Sequence, residues 1–203
     1  MSERVSFLSD GYQIEGILDT KSTAHVTIIT HPHPLYGGDM NNTVVDIISR
    51  QYQKAGYSTL KFNFRGVGAS QGVFDNGVGE RNDVLAAYSF LVDQGFSSVN
   101  LTGYSFGSWV VVGCANANNV YNNIALISPP ASFMSFDAFS SVPNLMLAVV
   151  GDQDDFAEKE LVKSVISRLN PQTKLEIIAG ADHFYFGYAD QLESIIHSNI
   201  PEI

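Results

Sequence analysis

Hydrophobic and polar positions along this chain switch between two periods. Val5 to Leu8 and Tyr12 to Leu18 read as two short strands, and Asp10-Gly11 between them is a tight hairpin signal. Val26 to Thr30, VTIIT, is rich in β-branched residues, the mark of a strand buried on both faces. Helical spacing follows: Val44, Val45, Ile47, Ile48 and Tyr52 share one broad face, with Asn42 or Thr43 placed to cap it and Gly56 to stop it. Tyr57 to Phe64 is the next strand, and Glu80 to Gln94 carries Val84, Leu85, Tyr88, Leu91 and Val92 at helical spacing. Val99 and Leu101 open a fifth strand, which leads into an apolar helical run, Trp109 to Ala117. Ile124 to Ile127, Leu145 to Val150 and Lys174 to Ile178 are the remaining strands. Between and after them lie two helices, Glu158 to Leu169 and Ala189 to Asn199; the first turns Leu161, Val162, Val165, Ile166 and Leu169 inward.

From the third strand onward, strands and helices alternate. That order predicts an α/β fold: a mostly parallel sheet with helices on both faces. Ligands of such sheets gather beyond the carboxyl ends of the strands. The unusual loops all follow strands: HPHPLYGGDMNN, RGVGASQG, GDQDDF and AGADHFYFG. Chemistry is expected along that single edge.

Composition narrows the class. A chain of 203 residues suits one domain, 1–203, with a sizeable core. Hydrophobic residues make up 45% and charged residues 16%, as in an ordinary globular protein. The net charge of −10 carries no long acidic block and disfavours nucleic acid or anionic membrane surfaces as partners. No stretch approaches the roughly 18 apolar residues of a membrane helix, and no basic leader precedes an apolar segment, so a cytoplasmic protein is expected. The single cysteine, Cys114, allows neither an internal disulfide nor a cysteine-based zinc cluster, and reads as a small core residue.

The candidate chemistry begins at Gly103-Tyr104-Ser105-Phe106-Gly107, a Gly-x-Ser-x-Gly pattern at a strand-to-helix junction. A serine in so sharp a turn leaves no room for side chains two residues to either side. The helix that follows aims its amides at the same spot. Serine is a poor nucleophile without a base, and the base needs an orienting acid. Two histidines follow Ser105. His197 lies in the last helix, where a solvated or helix-end role suffices; His183 lies in a loop beyond the eighth strand and is the candidate base. For the acid, the loop after the seventh strand offers Asp152, Asp154 and Asp155. One oxyanion donor is the amide of Phe106. The other belongs to the loop after the third strand, where Pro32 and Pro34 carry no amide hydrogen, leaving His33, Leu35 or Tyr36. His31 and His33 alternate with prolines and lack a nearby acid, so no metal site is expected. Arg65 is read as anchoring its own loop through nearby carbonyls. Of Phe184, Tyr185 and Phe186, part is expected in the core and one ring at an acyl or leaving-group pocket.

The chain strongly resembles the α/β-hydrolase superfamily. Five segments match in order: HPHPLYGG at 31–38, FNFRGVGAS at 62–70, GYSFG at 103–107, GDQD at 151–154 and GADHF at 180–184. Within the superfamily it is similar to small, lidless predicted hydrolases near the dienelactone hydrolases and short-chain esterases. The resemblance implies an eight-stranded sheet with its second strand antiparallel, Ser105 as nucleophile and His183 as base. It also selects Asp154 as the acid, because the family's acid usually stands three residues after the glycine matched by Gly151. Phe106 with His33 or Leu35 would supply the oxyanion donors, with no cofactor. The family's usual His-Gly pair is His-Pro here, and the elbow holds serine where dienelactone hydrolases have cysteine. Only about a dozen residues, Ala131 to Val142, separate the sixth and seventh strands, too few for a lid domain. The expected partner is a small acyl substrate, an ester or thioester. An idle hydrolase fold kept for binding, an acyltransferase and a peptidase are the alternatives, and the oligomeric state stays open.

Overall fold

A computed structural model describes residues 2–118 and 120–203. Its strands are β1 (Ser2–Ser9), β2 (Tyr12–Asp19), β3 (His25–Thr30), β4 (Ser58–Phe62), β5 (Ser98–Tyr104), β6 (Ile124–Ile127), β7 (Leu145–Gly151) and β8 (Lys174–Ile178). They form one sheet in the order β1-β2-β4-β3-β5-β6-β7-β8. β2 runs antiparallel to both β1 and β4, and every other pairing is parallel. The helices are α1 (Thr43–Lys54), α2 (Val78–Asp93), α3 (Phe106–Ala117), α4 (Lys159–Leu169) and α5 (Ala189–Asn199). This is the lidless, mostly parallel eight-stranded sheet expected from the sequence.

Two cores explain the layering. Val84 of α2, Val110 of α3 and Val162 of α4 pack with Ile28, Leu101 and Val150 on one face of the sheet. Val45 and Ile48 of α1 and Leu192 of α5 pack with Ile29, Tyr104 and Val149 on the other. Strand alternation sends neighbouring residues of β5 to opposite faces, Leu101 toward α3 and Tyr104 toward α1 and α5. Among the described residues no helix is long and apolar enough to cross a membrane.

The element boundaries have local causes. The β1–β2 hairpin pairs Ser9 with Tyr12 across Asp10 and Gly11, whose φ values of 50° and 82° suit the turn that right-twisted strands favour. Asn42 caps α1 by accepting from the Val44 amide at 2.9 Å. β4 ends at Phe62, short of the expected Phe64, because the Phe64 amide leaves the ladder for His31 Nε2 at 3.0 Å. Glu80 reaches back to the amides of Asp75 and Gly77, and this bracing lets α2 begin at Val78, before the expected start. Glu158 accepts from the Glu160 and Leu161 amides and so caps α4 from outside it. Leu161, expected on the inner face of α4, is exposed, as is Val92 of the helically spaced set in α2.

Arg65 corrects the sequence reading. It pairs with carboxylates, not with the carbonyls of its own loop. Its Nη2 donates to Asp83 Oδ1 at 2.8 Å and Asp10 Oδ2 at 2.9 Å, and its Nε donates to Asp83 Oδ1 at 3.1 Å. The β1–β2 turn, the loop after β4 and α2 are thereby tied together around a buried charge pair. Removing one partner of such a pair strands the other charge in a place water cannot reach. Asp83→Ala is therefore expected to lower unfolding free energy by about 3 kcal/mol in urea denaturation, the lower end of that cost because Asp10 still pairs with Arg65. A loss below about 1 kcal/mol would show that the pair holds nothing together.

Candidate active site

The site is assembled at the carboxyl ends of β5, β7 and β8. Ser105 sits between β5 and α3 with φ 54° and ψ −121°, on the side of backbone space that L-residues avoid at a cost of roughly 1–3 kcal/mol. Two glycines permit it. A Cβ on Gly103 would stand 2.6 Å from the carbonyl of Gly107, and one on Gly107 would stand 2.8 Å from the carbonyl oxygens of Thr30 and His31. The turn is pinned by Ser105 N donating to Ile127 O at 2.9 Å and by Ser108 Oγ donating to Gly103 O at 2.7 Å.

The structure brings Ser105, His183 and Asp154 together. His183 Nε2 lies 2.8 Å from Ser105 Oγ, and Nδ1 lies 2.9 Å and 2.8 Å from the two Asp154 oxygens. A carboxylate only accepts, so Nδ1 carries the hydrogen and Nε2 is left to accept from the serine hydroxyl. All three side chains are buried. Asp154 is fixed in turn by the amides of Phe156 and Ala157, which donate to its Oδ1 at 3.0 and 2.8 Å. The two alternative acids are elsewhere. Asp152 accepts from the Gly180 amide at 2.7 Å and acts as a loop clamp, while Asp155 is exposed.

The loop after β3 contains a single 3₁₀ turn, Pro34–Tyr36. Its amides are mostly engaged inside the loop: Tyr36 and Gly38 donate to His33 O at 3.1 and 3.0 Å, and Gly37 donates to Pro34 O. Leu35, one of the two expected oxyanion donors, is removed from that role because its amide donates to His33 Nδ1 at 3.2 Å. The His33 amide is not among these donors within the loop, and His33 and Phe106 both line the cleft over Ser105. Tyr36, the third of the sequence candidates, is engaged as well.

Sequence reasoning missed the residues that hold His183. Tyr104 Oη donates to the His183 carbonyl at 2.9 Å, and its ring packs 5.6 Å from the imidazole. Tyr185, itself at φ 57°, shares a 2.8 Å hydrogen bond with Ser128 and is buried, whereas Phe184 lines the cleft and Phe186 is exposed. The x of Gly-x-Ser-x-Gly carries no local signal for such a contact, which spans β5 and the loop after β8.

The cleft has a volume of about 390 Å³. Tyr36 and Phe184 form part of its wall and leave Ser105 reachable.

Solved structures and a curated relative place the architecture. An α/β serine hydrolase homologue from Coxiella burnetii shares 31% identity at a TM-score of 0.90, over 98% of this chain and 97% of that one. The chain belongs to the α/β-hydrolase superfamily. A lidless α/β serine hydrolase from Xanthomonas campestris shares 27% identity at a TM-score of 0.89, over 98% and 93% of the two superfamily chains. The uncharacterized protein RP471 of Rickettsia prowazekii is 38% identical over 178 residues, which are 82% of this chain and 74% of its own. No protein-family model matches the chain.

His31 supports the loop from below. Its Nδ1–H donates to Pro32 O at 2.7 Å, and its Nε2 accepts from the Phe64 amide, so the buried ring is held neutral. Burial pushes its pKa down to about 4. The unfolded chain takes up that proton near pH ~6.5 and the folded chain does not, so this contribution to stability is complete above pH ~6.5 and is lost as pH falls toward 4. The shift corresponds to roughly 3 kcal/mol. Denaturation midpoints measured across this window are expected to fall in the wild type and to fall less in His31→Gln. His33, lowered in the same direction by partial burial, and toward the acid end the carboxylates of Asp10 and Glu193, lowered by hydrogen bonds from Arg65 and Arg50, supply the slope that remains. Equal slopes in the two proteins would contradict the assignment.

Proposed function

We propose that the chain is a serine hydrolase cleaving a small carboxylic ester or thioester through an acyl-enzyme on Ser105. One observation carries the reading: the His183 ring spans Ser105 Oγ and the Asp154 carboxylate, at 2.8 Å on either side, beneath an open cleft. Ser105 Oγ attacks the substrate carbonyl carbon as His183 Nε2 takes its proton. The oxyanion of the tetrahedral intermediate is held by the amides of Phe106 and His33, with the N-terminus of α3 adding its dipole. Collapse breaks the carbon–oxygen or carbon–sulfur bond. The leaving alcohol or thiol receives the proton from Nε2, and water then repeats the sequence on the acyl-enzyme. Asp154 keeps the hydrogen on Nδ1 and stabilises the imidazolium that forms in each half.

Superfamily membership and the serine hydrolase neighbours support this chemistry, and the unblocked cleft favours it over an idle binding fold. Steady-state hydrolysis of a series of simple esters and thioesters tests it. Ser105→Ala is expected to reduce the rate to the ~10³–10⁴-fold over water that binding and the oxyanion donors supply alone. Asp154→Asn is expected to lower kcat roughly 10⁴-fold with KM nearly unchanged, because the imidazole then presents the wrong tautomer. Wild-type turnover no faster than that of Ser105→Ala on every substrate would overturn the proposal.

A further inference from the structure

The cleft walls carry a second message, about what the substrate looks like. Four rings line it in series: Tyr36 to Phe133 at 6.2 Å between centroids, Phe133 to Phe156 at 6.3 Å, and Phe156 to Phe184 at 6.5 Å. Each is set edge-on to the next, at 70° to 76°. They are between 43% and 75% exposed, an apolar surface that soluble proteins seldom leave open except at a binding site. The series passes over the reacting groups, for Phe156 lies 4.9 Å from the His183 ring and Tyr36 lies 4.8 Å from the His33 ring.

What the lining lacks is equally informative. Among the described residues it contains no Leu, Ile or Val, the side chains that commonly sheathe a flexible alkyl chain, and Met134 is its one unbranched aliphatic. It also contains no Lys, Arg, Asp or Glu, while the chain as a whole bears a charge of −10. A phosphate or carboxylate entering the cleft meets no cation and a repulsive field. Rings offer a guest ring edge-to-face and offset-stacked contacts that a saturated group of equal size cannot make. The cleft volume stands toward the small end of ligand sites, enough for one ring on a short linker.

We propose that this cleft selects uncharged esters carrying an aromatic ring a few bonds from the scissile carbonyl, and turns away acyl groups delivered on charged carriers. The inference rests on the hydrolase reading above and narrows it. It distinguishes ring recognition from plain hydrophobic burial, because a cyclohexyl group is at least as apolar as a phenyl group yet has no π face.

Two matched ester pairs make the test: ethyl 3-phenylpropionate with ethyl 3-cyclohexylpropionate, and 2-phenylethyl acetate with 2-cyclohexylethyl acetate. Within each pair the ring is too remote to change the reactivity of the carbonyl. Acid release by the wild-type protein is expected to show kcat/KM about tenfold higher for the phenyl member of at least one pair, and that pair identifies the side on which the ring is held. Phe133→Leu is expected to bring the ratio toward one. The thioester S-ethyl 3-phenylpropanethioate is expected to exceed 3-phenylpropionyl-coenzyme A at least roughly a hundredfold in kcat/KM. Hydrolysis of all four esters with both ratios within twofold of one would overturn the inference and leave the hydrolase reading intact. So would a coenzyme A thioester turned over as fast as the ethyl thioester. Absence of any Ser105-dependent hydrolysis would overturn both.

Discussion

One backbone conformation underlies the whole arrangement: Ser105 held at φ 54°, ψ −121° between β5 and α3. No isolated peptide would keep a serine there, so the surroundings must over-determine it. They do so by close approach. Gly103 faces α3 with no side chain between them, and Gly107 abuts the carbonyls of Thr30 and His31 at the end of β3. Two neighbouring strands hold the turn as well: β6 accepts the Ser105 amide, and β3 supplies the carbonyls against which α3 rests. The position of the hydroxyl thus depends on the centre of the sheet, the part of the molecule least able to move.

From that fixed point, the other groups are located by loops that are satisfied rather than free. Asp154 takes two backbone amides in addition to the imidazole, so its carboxylate cannot rotate without orphaning a donor. The imidazole is held through the carbonyl of its own residue by Tyr104 and through the loop by the Tyr185–Ser128 contact. The loop after β3 is held from beneath by the neutral ring of His31 and closed on itself by the ring of His33. Strain at one residue is therefore matched by well-made hydrogen bonds at its neighbours, and the cleft above inherits a rigid floor and a wall of aromatic rings.

Local physics made much of this legible in advance. The runs Val26–Thr30, Ile124–Ile127 and Leu145–Val150 are short and β-branched or apolar on both faces, as buried parallel strands are. Gly103, Ser105 and Gly107 announce a sharp turn because the constraint is steric and acts within five residues. Other features depend on where distant segments meet, and single-chain patterning does not carry that information. By residue type and local spacing Asp152, Asp154 and Asp155 are alike; the family resemblance singles out Asp154, and the path of the turn brings that carboxylate to His183. By sequence Leu35 is as able to donate as His33, and only the fold of the loop gives its amide to the His33 ring. The partners of Arg65 lie in the first hairpin and in α2, and Phe133 reaches the cleft from a segment with no regular structure.

In the proposed mechanism the convergence of Ser105, His183 and Asp154 makes one hydroxyl of this chain a nucleophile. Reaction of the folded protein with a fluorophosphonate, followed by peptide mass spectrometry, measures that directly. A single covalent adduct is expected on the peptide containing Ser105, with near-complete loss in His183→Ala. A folded wild-type protein that forms no adduct, or forms it on another residue, would contradict the account.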